Sequence, residues 1–253
     1  MPEEVKKICA CNSDNLGYTS FQDETLAPDI QSSGDTKEGY YIGTEIEDGL
    51  AYKNVWPNPS LIPEWRETMI KYHTECIALA RRTIAALSSA LKLPLDYFDP
   101  YFAEPTALLR LLKYGSIVST PESGLYGAGP HSDYGMITLL ATNEVTGLQI
   151  LHGGEWISVC PRPDCFIVNL GDCLQMMTNN RFKSTVHRVL IGPHEAARYS
   201  MAFFFEPNRQ ALVKCLPEFL APGDDPLYEP ILYGDYLLQK YERTHADFKV
   251  STS

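Results

Sequence analysis

Three short segments carry side chains whose types and spacing could do chemistry. Gly129-Pro130-His131-Ser132-Asp133 sets an imidazole two residues before a carboxylate. On a strand, positions i and i+2 project to the same face, so one nitrogen and one oxygen can meet at one metal ion. Alone the pair is a weak signal, and a surface turn in which Asp133 caps backbone amides is an equal reading. Ser184-Thr185-Val186-His187-Arg188-Val189-Leu190 adds a second histidine inside a β-branched, apolar run, the composition of a core strand. A lone core histidine is usually a hydrogen-bonded structural residue; this one has a candidate partner set. Two imidazoles and one carboxylate cover one face of an octahedral metal and leave three positions open. Arg198-Tyr199-Ser200 then opens the apolar run Met201 to Phe205. A period of two places Arg198, Ser200, Ala202, Phe204 and Glu206 on one face. A guanidinium fork beside a hydroxyl suits a carboxylate. A surface salt bridge is the plainer reading of Arg198, yet a charge turned into an apolar sheet is costly without an anion. A bound dicarboxylate would supply that anion.

Short strands must position these groups. From Ala107 onward apolar runs alternate with Gly, Pro and Asn: Leu108–Tyr114, Met136–Thr142, Leu148–Leu151, Trp156–Val159, Cys165–Asn169, Ser184–Leu190 and Tyr199–Phe205. Such a series predicts a β-sandwich or barrel. Gly153-Gly154 predicts a hairpin turn with His152 at its tip. Upstream, Glu38–Glu45 reads as a short strand. Leu61–Leu93 reads as one long helix or two abutting ones, with Pro63 in its first turn, Pro94 at its end and a stripe of Trp65, Met69, Tyr72, Cys76, Leu79, Ala80, Thr83, Ile84 and Leu87. A last helix is expected from about Tyr233 to Ala246. Asp172 reads as a turn residue rather than a base. His194 sits in a Gly-Pro-His-Glu turn and His245 on the last helix, so neither is expected to act. The glycines from Gly124 to Gly129 lack P-loop or GxGxxG spacing and suggest a mobile lead-in to the metal strand.

The chain has 253 residues, 44% of them hydrophobic and 21% charged, with a net charge of −11. That balance fits a globular chain and disfavours nucleic acid or an anionic membrane as partner. No apolar stretch approaches a membrane span, and Met1–Lys7 has no signal-peptide core. Seven cysteines, an odd number without framework spacing, suggest a reducing, cytoplasmic setting. Cys9-Ala10-Cys11 lacks the second pair that a structural zinc site needs.

Taken together, the segments resemble those of the 2-oxoglutarate/Fe(II)-dependent dioxygenases of the isopenicillin N synthase-like family, most closely the plant soluble hyoscyamine 6-dioxygenase-like enzymes. The likeness is carried by Leu109–Tyr114, Gly127–Leu140, Gly147–Ile150, Val168–Asp172, Ser184–Val189, Arg198–Ser200 and Phe205–Pro207, in family order, and extends from about Gly39 onward. It implies a mainly β fold with flanking helices, a double-stranded β-helix (jelly roll, cupin-like). Residues 1–106 would form a partial N-terminal helical and loop region packing on the barrel, 107–210 the jelly-roll core and 211–253 a C-terminal extension with a helix. His131, Asp133 and His187 would bind Fe(II). Arg198, Ser200 and Tyr114 would bind the distal carboxylate of 2-oxoglutarate, and Phe204 and Glu206 would line the substrate pocket. The implied enzyme oxidises a small-molecule metabolite, by hydroxylation or a related outcome, using O2, releasing succinate and CO2, with ascorbate as a reductant. A cytoplasmic monomer is expected. A family oxidase that does not use 2-oxoglutarate, or a truncated metal-binding protein without turnover, are the alternatives. Two departures stand out. Leu112 replaces the Asn often found two residues before the tyrosine, and family members usually carry further N-terminal sequence that helps enclose substrate.

Overall fold

A computed structural model describes residues 1–45, 53–193 and 196–244. The turns expected around His194 and the end of the last helix at His245 lie outside these residues.

In chain order the elements are α1 (Glu3–Lys7), β1 (Gly17–Thr19), β2 (Lys37–Gly43), α2 (Trp65–Ala90), β3 (Thr106–Tyr114), β4 (Ala128–His131), β5 (Ile137–Thr142), β6 (Leu148–His152), β7 (Glu155–Ser158), β8 (Ile167–Leu170), α3 (Asp172–Met177), β9 (His187–Val189), β10 (Tyr199–Glu206), β11 (Leu212–Val213), β12 (Ile231–Leu232) and α4 (Tyr233–Thr244). Ten of the strands build two antiparallel sheets, ordered β1-β2-β3-β10-β5-β8 and β4-β9-β6-β7. Their inner faces enclose one cavity, so the fold is the double-stranded β-helix expected from the sequence. Strand β2 lies upstream of residue 106 yet is hydrogen-bonded along its length to β3.

The period of two divides the long strands between core and cavity. On β10, Phe203 and Phe205 are buried outward, where Phe102 stacks on Phe205 at 4.6 Å and the edge of His73 meets Phe203 at 5.2 Å. Helix α2 covers this outer face with Cys76, Ala80 and Ile84, spaced four apart in a helix of 3.6-residue turns. The helix is one piece and begins at Trp65, not Leu61, because Glu64 takes a left-handed φ of 62° that a helix cannot continue from. Pro63 therefore stands outside it. His73, buried in that face, meets the Ala107 carbonyl through Nε2 at 3.0 Å and is structural. Gly153 and Gly154, with φ of 60° and 86°, turn the β6–β7 hairpin and leave His152 exposed opposite Glu155 at its tip. Cys9 is buried and Cys11 half-buried, and all seven cysteines are free thiols.

Candidate active site

The two metal-type histidines meet because their strands do. His131 ends β4 and is the cross-strand partner of His187 on β9, with ring centroids 4.3 Å apart. Each Nδ1 lies on a carbonyl two residues upstream, His131 on Gly129 at 2.8 Å and His187 on Thr185 at 2.9 Å. A carbonyl can only accept, so Nδ1–H donates and each Nε2 keeps its lone pair for a metal. The Nε2 atoms lie 3.9 and 3.6 Å from Asp133 Oδ1. The other carboxylate oxygen, Oδ2, accepts from Thr138 Oγ1 at 2.5 Å and Asn169 Nδ2 at 2.7 Å. Thr138 and Asn169 are themselves cross-strand partners on β5 and β8. One oxygen is thus fixed and the other left towards the imidazoles, the arrangement in which outer partners orient a ligand. All three donor atoms lie within 4.8 Å of one another.

The route of Asp133 to this position differs from the sequence expectation. Strand β4 stops at His131, so Asp133 lies just beyond it, and its carboxylate meets the imidazoles from the connection between β4 and β5. Helix α3 holds that connection. Asp172 N–H donates to the Asp133 carbonyl at 2.8 Å and Cys173 N–H to that of Gly135 at 3.1 Å. The approach is so close that a Cβ on Gly171 would sit 2.3 Å from the Gly135 oxygen. Asp172 is accordingly the buried first residue of α3 rather than a turn residue, and its Oδ2 accepts from Ser132 Oγ, Tyr236 OH and Lys240 Nζ at 3.2, 2.6 and 3.1 Å. The glycine-rich lead-in is likewise tied down, with Gly127 N–H on the Val189 carbonyl at 3.0 Å and Gly129 N–H on Asp35 Oδ1 at 2.9 Å.

Burial and the facing His187 push the His131 pKa down to about 3, so the ring is neutral at physiological pH and free to ligate. Burial alone would raise the Asp133 pKa, but His187, His131 and the donors Thr138 and Asn169 outweigh it and hold the carboxyl below its usual range. Two imidazoles and one carboxylate, with both Nδ1 atoms and Oδ2 already satisfied, suit a divalent transition metal of the Fe(II) type.

From this cluster the cavity runs along the inner face of β10, with Phe204, Ala202, Ser200 and Arg198 lining it in succession. Arg198 is 3% exposed, and its Nε and one terminal nitrogen, like Ser200 Oγ, are buried without a hydrogen-bond partner. Its guanidinium lies over the Tyr114 ring at 4.6 Å. Leu112, on the same row as Ser200, adds an apolar wall. A buried cation and a buried hydroxyl with open donors at one end of a cavity, and three metal ligands farther along it, fit an anion such as a carboxylate that reaches from one to the other.

A second compartment, of about 50 Å3, lies on the other side of His131 and Asp133. Leu26, Tyr41, Leu108, Tyr134, Phe204, Glu206 and Tyr241 are among its walls. Burial pushes the Glu206 pKa up to about 7. Here sequence reasoning missed a buried charge cluster. Arg110 donates to both oxygens of Glu24 at 3.1 and 2.8 Å, and Lys37 pairs with Glu24 at 2.8 Å and also with Asp35. Burial opposes the charge on Lys37, but Asp35 and Glu24 hold its pKa above the usual value. The signal for Arg110 was present: it is a single charge in Leu108-Leu109-Arg110-Leu111-Leu112, the same pattern that marked Arg198. Glu24 and Asp35 come from irregular chain and carried no period to read.

A family profile described as the 2OG-Fe(II) oxygenase superfamily matches residues 106–207. The 2-oxoglutarate-Fe(II) type oxidoreductase hxnY of Emericella nidulans is 36% identical over 92% of this chain and 70% of its own. Kihadalactone A synthase LFS of Citrus sinensis is 33% identical over 98% of this chain and 77% of its own. Among solved structures, that of a full-length Neurospora crassa protein in complex with alpha-KG superposes with a TM-score of 0.84 at 31% identity, covering 96% of this chain and 78% of the other. With relatives this similar over most of both chains, the chain belongs to the 2-oxoglutarate–Fe(II) oxygenase superfamily, as an iron- and 2-oxoglutarate-dependent enzyme that oxidises small molecules with release of succinate and CO2.

Proposed function

We propose that His131, Asp133 and His187 are the Fe(II) ligands, that Arg198, Ser200 and Tyr114 receive the distal carboxylate of 2-oxoglutarate, and that the compartment lined by Phe204 and Glu206 takes the substrate. The observation that carries this reading is the buried Arg198 with no counter-ion among the described residues, on the same cavity as three convergent candidate metal ligands. When bound, the iron supplies the oxidative decarboxylation of 2-oxoglutarate by O2 and the oxidation of a substrate C–H bond.

The chain's own residues do the positioning. Thr138 and Asn169 fix Asp133, and the Gly129 and Thr185 carbonyls fix the two imidazoles. Arg198 and Ser200 hold one end of the cosubstrate while Tyr114 buttresses the guanidinium. Small Ala202 leaves room between Ser200 and Phe204 on the inner row. Leu112, Leu140 and Ile167 exclude water from the same stretch. Residues 107–210 form the catalytic core, and the flanking segments add walls: Glu24 and Lys37 from the first, Tyr241 from the last.

We further propose a cytoplasmic monomer that acts on neither nucleic acid nor membranes. The net charge of −11 and free cysteines support this, and no helix among the described residues is long and apolar enough to cross a membrane. Succinate formation from 2-oxoglutarate, Fe(II) and O2 tests the assignment. His187→Ala should abolish both iron binding and succinate; stoichiometric iron with retained turnover in that variant would overturn it.

A further inference from the structure

The compartment beside Tyr134 is unusual in how its charges are disposed. Among the described residues Arg110 is the only permanent cation lining it, while Glu24, Asp133 and Glu206 contribute three carboxyls. Both terminal nitrogens of Arg110 donate to Glu24, so the two-pronged face of the guanidinium is taken and its buried Nε alone has no partner among the described residues. Its guanidinium also lies 4.4 Å over the Tyr41 ring, which closes a further side. Lys37, behind it, is taken up by Glu24 and Asp35. Two cations and two anions thus cancel within one buried cluster. Fe(II), Asp133, a 2-oxoglutarate dianion and Arg198 cancel likewise, so the loaded centre adds no net attraction for an acid. Tyr134, Tyr241 and Phe204 bring aromatic side chains to the remaining space, the surroundings that suit a flat ring.

We propose that this enzyme selects uncharged, ring-bearing substrates against carboxylates, and that Glu24 is the specificity-determining residue. Glu24 occupies the guanidinium that an acidic substrate would need. A carboxylate brought in beside it finds both terminal nitrogens of Arg110 held by Glu24 and only further carboxyls, Asp133 and Glu206, in the same wall, so it would be desolvated without a paired cation, the penalty by which a site rejects a wrong partner. A neutral ring meets no such penalty. Glu24 acts through Arg110 and through charge, without touching the reacting atoms. This inference rests on the reading of that compartment as the substrate site.

Benzamide and benzoate, matched in shape and differing in charge, test it by calorimetry on protein loaded with Mn(II) and saturating 2-oxoglutarate. The wild type should bind benzamide at least tenfold tighter than benzoate, and Glu24→Gln should shrink that preference at least tenfold. If Glu24→Gln unfolds because Lys37 loses a partner, Glu24→Gln/Lys37→Met removes one charge of each sign and carries the same expectation, with melting followed by circular dichroism. Equal binding of acid and amide by the wild type, or an unchanged preference in the variants, overturns the role of Glu24. Binding of neither probe by any of these proteins overturns it as well. Phe204→Ala separates the two readings: probes that bind the wild type indifferently to this change show that the compartment itself is misassigned. Loss of binding in Phe204→Ala, with acid and amide held equally by the wild type, overturns the selectivity alone.

Discussion

Arg110 and Arg198 are both buried, one on β3 and the other immediately before its neighbour β10, and both line the cavity that holds the metal ligands. Each has its guanidinium over a tyrosine ring, Tyr41 in one case and Tyr114 in the other. They differ in what answers the charge. Arg110 is gripped on two nitrogens by Glu24, whereas Arg198 has two nitrogens with no partner among the described residues. A buried cation costs free energy until something neutralises it. The chain meets that cost at Arg110 with its own carboxylate and at Arg198 leaves it to a ligand. On the proposed assignment, one arginine is part of the wall and the other is a docking point.

The sharpest way to break the comparison is to remove each charge in turn. Arg110→Met takes the two-nitrogen grip from Glu24 and leaves Lys37 as its cation, and breaking a buried pair from one side costs about 3–5 kcal/mol. The melting temperature should fall by on the order of 10 °C. Arg198→Met strands nothing, so the melting temperature without ligand should hold or rise, while 2-oxoglutarate affinity falls roughly several-hundred-fold. Thermal melts and calorimetry read both, and equal destabilisation by the two changes would erase the distinction.

Glu206 sharpens it from the anionic side. Its folded pKa, about 7, lies above the 4.5 of an ordinary glutamate. Between those values the folded chain binds the proton that the unfolded chain has lost. This group therefore makes metal-free stability fall as pH rises from 4.5 towards 7 and then level off, by up to about 3 kcal/mol. Glu206→Gln should remove that component from melts compared at pH 5 and pH 8. The smallest effect is expected at Thr138→Val, which takes one donor from Asp133 Oδ2 and should weaken metal binding roughly 10–100-fold. An unchanged metal affinity would show that Asn169 alone orients the carboxylate.

Much of this site was legible because its residues announce themselves locally. Strand β10 is buried on both faces, so alternation alone sorted Arg198, Ser200, Ala202, Phe204 and Glu206 onto the cavity side and Phe203 and Phe205 onto the core. The metal histidines were found by type and spacing. Their convergence, however, comes from cross-strand pairing between segments far apart in sequence, and Asp133 arrives from the connection after β4 rather than from within the strand. What stayed hidden was set by tertiary context. Asp172 looks like a turn residue until α4 brings Tyr236 and Lys240 to it. Glu24 and Asp35 become buried only because Arg110 and Lys37 face them across the fold. The start of α2 shifted because a single left-handed residue, Glu64, interrupts an otherwise helical pattern.

The central claim is that Arg198 receives the carboxylate of 2-oxoglutarate that does not face the metal. Calorimetric titration of metal-loaded protein with 2-oxoglutarate and with 2-oxobutyrate, which keeps the keto-acid end but lacks the distal carboxylate, isolates that contact. The expected result is a preference of at least roughly a hundredfold for 2-oxoglutarate in the wild type that disappears in Arg198→Met. A wild type that binds the two acids alike, or a preference that survives in Arg198→Met, would contradict it.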